Sequence, residues 1–183
     1  AAERSSRPSA HAIHSNAGLA SLNDTNYRRS HTMGDIHTPQ PVIFITAIFT
    51  RHEQAFTWAR DRMQELWGPI VLESPRFAFD QTTYYEPSMG PALEKQFWAF
   101  EQLLSPGDIA GIKVRTNELE DEYAALGLHD EERPLNLDPG YVGLGKLVLA
   151  STKDHAHRIY LSQGIFAEVT LFYRRKAWVT HEW

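Results

Sequence analysis

The chain contains no cysteine. That excludes disulfides, thiolate nucleophiles and cysteine-ligated zinc, and it fits a reducing compartment. Long apolar runs are also missing: the longest, Pro41–Phe49, is about half of what a helix needs to span a bilayer. A soluble, cytoplasmic protein without membrane association is the expectation. Aromatics are nearly absent from the first 40 residues, where Tyr27 stands alone among Ser, Ala, Asn and His, and no helical or strand period appears there. No apolar segment follows a basic start, so a secretory signal is not expected. Arg28-Arg29, which resembles a twin-arginine signal, is separated by eleven positions from the first apolar segment. Met33 is an alternative start of translation, which would leave residues 1–32 as a disordered extension or outside the native protein. The histidines of this stretch (His11, His14, His31, His37) then read as solvated rather than metal-binding. An excess of positive charge is lacking as well. The net charge of −5 argues against general nucleic-acid binding, which shows a broad basic footprint.

What is present fits one domain of ordinary size, with 42% hydrophobic and 22% charged residues in a chain of 183. Residues 1–40 are expected to be a disordered or weakly ordered extension and 41–183 a single α+β domain. All five Trp and all nine Phe lie beyond residue 50 except Phe44 and Phe49 in the first apolar run. Val42–Phe49 is β-branched and aromatic, as suits a buried strand. Ala55, Phe56, Ala59, Met63, Leu66 and Trp67 form a helical stripe ended by Gly68-Pro69. Ile70–Leu72 and Phe77–Phe79 read as strand pieces broken at Pro75. Pro91 opens a second expected helix, with Leu93, Phe97, Phe100 and Leu104 at helical spacing. Ser105-Pro106-Gly107-Asp108 is a helix start, and Ile109, Ile112, Thr116, Leu119, Tyr123 and Leu126 line one face until Gly127. Lys146–Thr152 is read as a strand. His157–Leu161 and Ile165–Arg174 are read as a hairpin around Ser162-Gln163-Gly164. The order β-α-β-α-α-β-β-β predicts a mixed sheet covered on one side by about three helices.

Charge is uneven along this order. Residues 117–138 carry eight acids against one arginine, and residues 141–176 carry six Lys/Arg against two acids. The two stretches read either as solvated faces or as a basic pocket that attracts an anion. Gly140-x-x-x-x-Gly145-Lys146 comes one residue short of a P-loop, because Leu147 replaces the metal-holding Ser or Thr. GTP binding through a P-loop is therefore not expected. Asp138-Pro139-Gly140-Tyr141 reads instead as a β-turn, with Gly140 taking the left-handed position. His155 and His157 alternate along the chain and could share a metal, but two ligands do not make a site. Lys153, His157 and Arg158 look better suited to an anion: a point charge, a proton donor and a planar fork. Glu168 on the partner strand would serve as a base or neutralise Arg158. A second cluster, Phe79–Gly90, holds Tyr84, Tyr85 and Glu86 in an irregular loop that either lines a pocket or staples itself to the core. Lys113 and Asn117 share a helix face and would close that pocket. No nucleophile elbow is present, so acyl transfer has little support.

TxYYEPxMG at 82–90, IKxxTNxLE at 112–120 and NLDPGYVxLxKLVLASTKDxxHRIYLxxGIFAEVTLFY at 136–173 resemble one bacterial family, the domain-of-unknown-function family 4416. The resemblance runs from about Pro41 to the C-terminus. It implies no activity, although some members carry a GTP-binding label. In that family's pattern Asp138, Pro139, Gly140, Tyr141, Lys146, Lys153, His157 and Arg158 are motif positions, whereas Gly143, Gly145 and His155 are not. Thr83 departs from the pattern, which tends to an acid there.

Two functions remain open. One is a binding protein or enzyme for a phosphate- or carboxylate-bearing small molecule. In it Lys146, Lys153 and Arg158 hold the anion, His157 with Glu168 handles protons, and Tyr84, Tyr85, Glu86, Asn117, Asp138 and Tyr141 complete the site. The other is a non-catalytic adaptor or regulatory module whose motif residues brace turns and a sheet. Neither metal nor cofactor is assigned.

Overall fold

Val42–Thr50 is apolar or β-branched at almost every position, which suits a strand covered on both faces, and it forms β1, buried at every residue except Ile43. The computed structural model describes residues 34–181; the expected tail up to residue 33, including the Met33 start, lies outside the described residues. The described part of that tail, residues 34–40, is exposed and has no helix or strand.

The helical stripe after β1 forms α1 (Glu53–Trp67), which buries Ala55, Phe56, Ala59 and Met63. Short strands β2 (Ile70–Glu73) and β3 (Phe77–Ala78) follow, then a single-turn helix α2 (Glu86–Met89) and the long strand β4 (Glu94–Leu104). Ser105 Oγ accepts from the Gly107 amide and starts a 3-10 turn, Pro106–Asp108, that leads into α3 (Ile109–Ala124). The rest is sheet: β5 (Asn136–Val142), β6 (Lys146–Ser151), β7 (Ile159–Ser162), β8 (Ile165–Arg174) and β9 (Ala177–Thr180).

All nine strands join one sheet in the order β2-β4-β1-β5-β6-β8-β7, with β3 on β4 and β9 on β8. The α+β class agrees with the sequence, and so does the packing of α1 and α3 on one face of the sheet, whereas α2 lies on the other. Every pairing is antiparallel, so the strand directions are not mixed. The helix expected from Pro91 to Leu104 is β4. Phe97-Trp98-Ala99-Phe100 is apolar without interruption, so it satisfies a helical period and a buried strand alike. Aromatic bulk next to β1 decides for the strand, with Gln96, Trp98 and Phe100 buried. The turn expected at Asp138–Tyr141 is also strand. Gly140 is needed there for closeness rather than for a left-handed φ: a Cβ at this position would lie 2.3 Å from the Val148 carbonyl oxygen of β6.

One face of the sheet carries the main core, where Phe44, Ile48, Trp98, Phe100, Leu135 and Leu137 meet α1 and α3. The opposite face is partly roofed by the segment around α2, through Phe79, Tyr85, Met89 and Leu93 packed on Phe49. Among the described residues no helix is long and apolar enough to cross a membrane.

Candidate functional site

β5 is paired along its whole length with β1, but its ladder with β6 stops at Gly140–Leu149. Beyond that point the two strands separate, and the backbone of Leu137 needs other partners. α3 supplies them. Glu120 Oε1 accepts from the Leu137 amide at 2.8 Å, and Lys113 Nζ donates to the Leu137 carbonyl at 2.7 Å. Both side chains are buried, 3.9 Å apart. Burial raises the Glu120 carboxyl above its usual range, and the charges of Lys113 and Arg133 oppose the shift. Arg133 closes the network, donating to Glu120 Oε2 from Nε at 3.0 Å and Nη2 at 2.6 Å, and to Asn136 Oδ1.

The gap between the diverging strands is a cavity of about 120 Å³ on the sheet face away from α1 and α3. Asn136 and Asp138 alternate with core-facing Leu137, so they point to this face. Leu149 pairs with Gly140 and Glu168 with Leu149, which puts Glu168 in the same row. Ser151, Thr152 and Lys153 continue from β6 along one wall, Arg158 closes the far side, and Arg133 and Tyr85 complete the rim.

Within this pocket Arg158 is heavily committed. Its Nε donates to Glu168 Oε2 at 2.8 Å, and its Nη1 donates to Ser151 Oγ at 2.7 Å and the Lys153 carbonyl at 3.0 Å. His157 Nε2 lies 3.0 Å from the same Glu168 oxygen, and Thr170 Oγ1 donates to the other at 3.4 Å. Partial burial pushes the Glu168 carboxyl up, but the bond and charge of Arg158 and then those of His157 outweigh it and hold the group below the usual range. Lys153 makes no ion pair among the described residues. Its ammonium sits over the ring of Tyr84 at 4.1 Å and near that of Tyr85 at 5.7 Å. Asp138 Oδ1 takes Lys113 Nζ at 3.3 Å, and Oδ2 has no hydrogen-bond donor among the described residues. Burial, then the Asp138 charge, raises the Tyr85 hydroxyl pKa.

Asn136 is only 2% exposed, and its Nδ2 has no hydrogen-bond partner among the described residues. The Arg133 donor on Oδ1 fixes which end of the amide is which. A buried amide donor on a pocket wall is costly unless something accepts from it.

Of the side chains singled out in the sequence, Tyr85, Asp138, Lys153, Arg158 and Glu168 meet in this pocket. His157 stands behind Glu168, and Tyr84, 65% exposed, is stacked outside on Lys153. The others lie elsewhere. Lys146 is exposed at the opposite end of β6, facing Phe172, and five residues of strand put it about 16 Å from Ser151. Tyr141 packs toward α3 against the cluster of Ile109, Ala110, Ala150 and Ile165. Glu86 is exposed at the start of α2, and Asn117 is half-buried on α3; neither lines the pocket. Arg133 and Asn136 were not singled out. The signal for Arg133 was a lone cation within an acidic run, and Asn136 opens the NLDPGY motif. Gly143–Gly145 is the tight link between β5 and β6, where the Gly143 amide donates to the Lys146 carbonyl at 2.9 Å. A strand rather than a helix follows Lys146, so this segment does not have the geometry of a P-loop. No group of three or more His, Asp or Glu side chains able to hold a metal occurs among the described residues.

Comparison with known proteins adds one match. No curated protein and no solved structure matches the chain. The model of the family described as Domain of unknown function (DUF4416) matches residues 40–183, which span every strand and helix of the fold and the whole pocket, and the chain belongs to that family.

Proposed function

We propose that the pocket between β5 and β6 binds a small oxyanion, a phosphate or carboxylate group, and that the protein is a small-molecule anion-binding protein. The observation that carries this reading is the unpaired, buried Nδ2 of Asn136 on a wall shared with Arg133, Lys153 and Arg158. Arg133 Nη1, Arg158 Nη2 and Lys153 Nζ also lack an acceptor among the described residues. Four donors around one small cavity suit an oxyanion, which accepts several charge-assisted bonds at once. Volume narrows the ligand. Drug-sized ligands take about 300 Å³ or more, so a cavity of about 120 Å³ suits a phosphate or carboxylate group and not a whole nucleotide.

Support for catalysis is weaker. Arg158 and His157 keep Glu168 ionised and occupied, which makes it a poor base. The same satisfied trio favours the second reading, an adaptor in which these residues brace β7 and β8. Thermal shift separates the two. A ligand that binds only the folded state stabilises it by about 2.7 kcal/mol at one hundred times its Kd. Inorganic phosphate should raise the melting temperature of the wild type, and that of Lys153→Ala much less. No shift with any small oxyanion favours the adaptor.

A further inference from the structure

We infer that Asp138 restricts the pocket to an oxyanion that still carries a hydroxyl, namely the P–OH of hydrogen phosphate or of a phosphomonoester monoanion, and turns away sulfate. The inference rests on the anion-binding reading of this pocket and specifies its ligand.

The pocket holds two carboxylates, and they differ in what they have left to offer. Glu168 is used up: one oxygen takes Arg158 and His157, and the other takes Thr170. Asp138 is half used. Lys113 holds Oδ1, while Oδ2 has no donor among the described residues. Asp138 therefore presents a fixed acceptor, one strand repeat from the unpaired Asn136 donor and on the same face of β5. Lys113 fixes its position, and the half-buried Tyr85 hydroxyl stays protonated nearby.

A ligand seated among Asn136, Arg133 and Lys153 must therefore present acceptors to them and a donor to Asp138. Sulfate is fully ionised near neutral pH and has no proton to give, so its oxygen would face the Asp138 carboxylate across the cavity. Hydrogen phosphate has the same shape and an O–H that turns that repulsion into a hydrogen bond. Sites built to bond a substrate hydroxyl reject analogues that lack it far more strongly than apolar pockets reject a missing methylene. A carboxylate that repels the wrong anion is specificity by exclusion.

The test is titration calorimetry of the full chain with inorganic phosphate, sulfate and methyl phosphate, for wild type and Asp138→Asn. Wild type should bind phosphate at least about 100-fold tighter than sulfate. In Asp138→Asn the ratio should fall close to one, because the amide can donate to sulfate. Methyl phosphate separates the two sources of a P–OH: its binding should weaken as pH rises through about 6, where phosphomonoesters lose their last proton, while inorganic phosphate persists to higher pH. Equal wild-type affinity for phosphate and sulfate overturns the selection but leaves an anion pocket standing. An unchanged ratio in Asp138→Asn removes Asp138 as the selector. No binding of any of the three overturns the selection together with the anion reading. Should Asp138→Asn fail to fold, the wild-type ratio and the methyl phosphate pH profile decide the matter alone.

Discussion

Glu120 of α3 takes the place of a neighbouring strand for Leu137 of β5, accepting its amide proton on Oε1 at 2.8 Å where the β6 ladder has already ended. Lys113 does the same for the Leu137 carbonyl. The pocket exists because two helix side chains, rather than a strand, complete β5 at this point.

Removing either side chain should therefore be severe. Glu120→Ala leaves the Leu137 amide unpaired and Lys113→Ala leaves its carbonyl unpaired, while Asp138 or Arg133 still partners the remaining buried charge, so each should cost about 3 kcal/mol in urea unfolding, the upper end for a buried unsatisfied group. The paired replacement Lys113→Met with Glu120→Leu removes both buried charges but leaves the Leu137 amide and carbonyl unsatisfied, at about 1–3 kcal/mol each. A double variant as stable as wild type would show that these bonds do not hold β5.

Two glycines of the apparent phosphate loop should behave in opposite ways. Gly140→Ala drives a Cβ into the Val148 carbonyl oxygen and should cost about 3 kcal/mol, at the upper end for overpacking. Gly145 has open space around it and no positive φ. Gly145→Ala should stay within about 0.5 kcal/mol of wild type, as surface substitutions do, and should leave any phosphate response intact. Loss of that response in Gly145→Ala would revive the P-loop.

These contrasts also show what the sequence could reveal. The β7–β8 hairpin was legible because Gln163-Gly164 is turn chemistry, and both residues have positive φ. The same turn joins β8 to β9, but Arg175 and Lys176 occupy it, and neither residue announces a left-handed backbone, so β9 was not foreseen. β4 was hidden because an unbroken aromatic run carries no period of its own. The pocket was half legible. Lys153, Arg158 and Glu168 are close in sequence and meet across one sheet region. Arg133 and Asn136 arrive through the separation of β5 from β6, which depends on Glu120 and Lys113 packing from a distant helix. Lys146 and Tyr141 follow the same strands but fall at the wrong end and on the wrong face.

Acid should weaken the fold partly through Glu168. Its carboxyl titrates lower in the folded state than in the unfolded chain, where Glu titrates near about 4.3. The stability it contributes is thus complete above that value and is lost as pH falls through the lower folded one. Between these limits the slope of unfolding free energy against pH should be shallower in Glu168→Gln than in wild type. Identical slopes would mean that Arg158 and His157 do not hold the charge.

Affinity should follow pocket position rather than charge alone. Lys153→Ala removes a pocket cation whose other contacts are aromatic faces, so oxyanion binding should weaken by about 10- to 100-fold, the range for one charge-assisted bond. Lys146→Ala changes the net charge equally and should leave calorimetric affinity within about two-fold, since exposed charges at that distance are largely screened. Equal losses would point to a diffuse basic surface instead of a built site.

The Asn136 side-chain amide offers the most direct view of the pocket, because its buried donor lacks a partner among the described residues. Its two ¹⁵N-attached protons can be identified by their loss in Asn136→Ser and followed as inorganic phosphate is added. Binding in the pocket should shift both signals saturably, with the same Kd as calorimetry. Signals that stay in place at phosphate concentrations saturating every other response would contradict the pocket as the anion site.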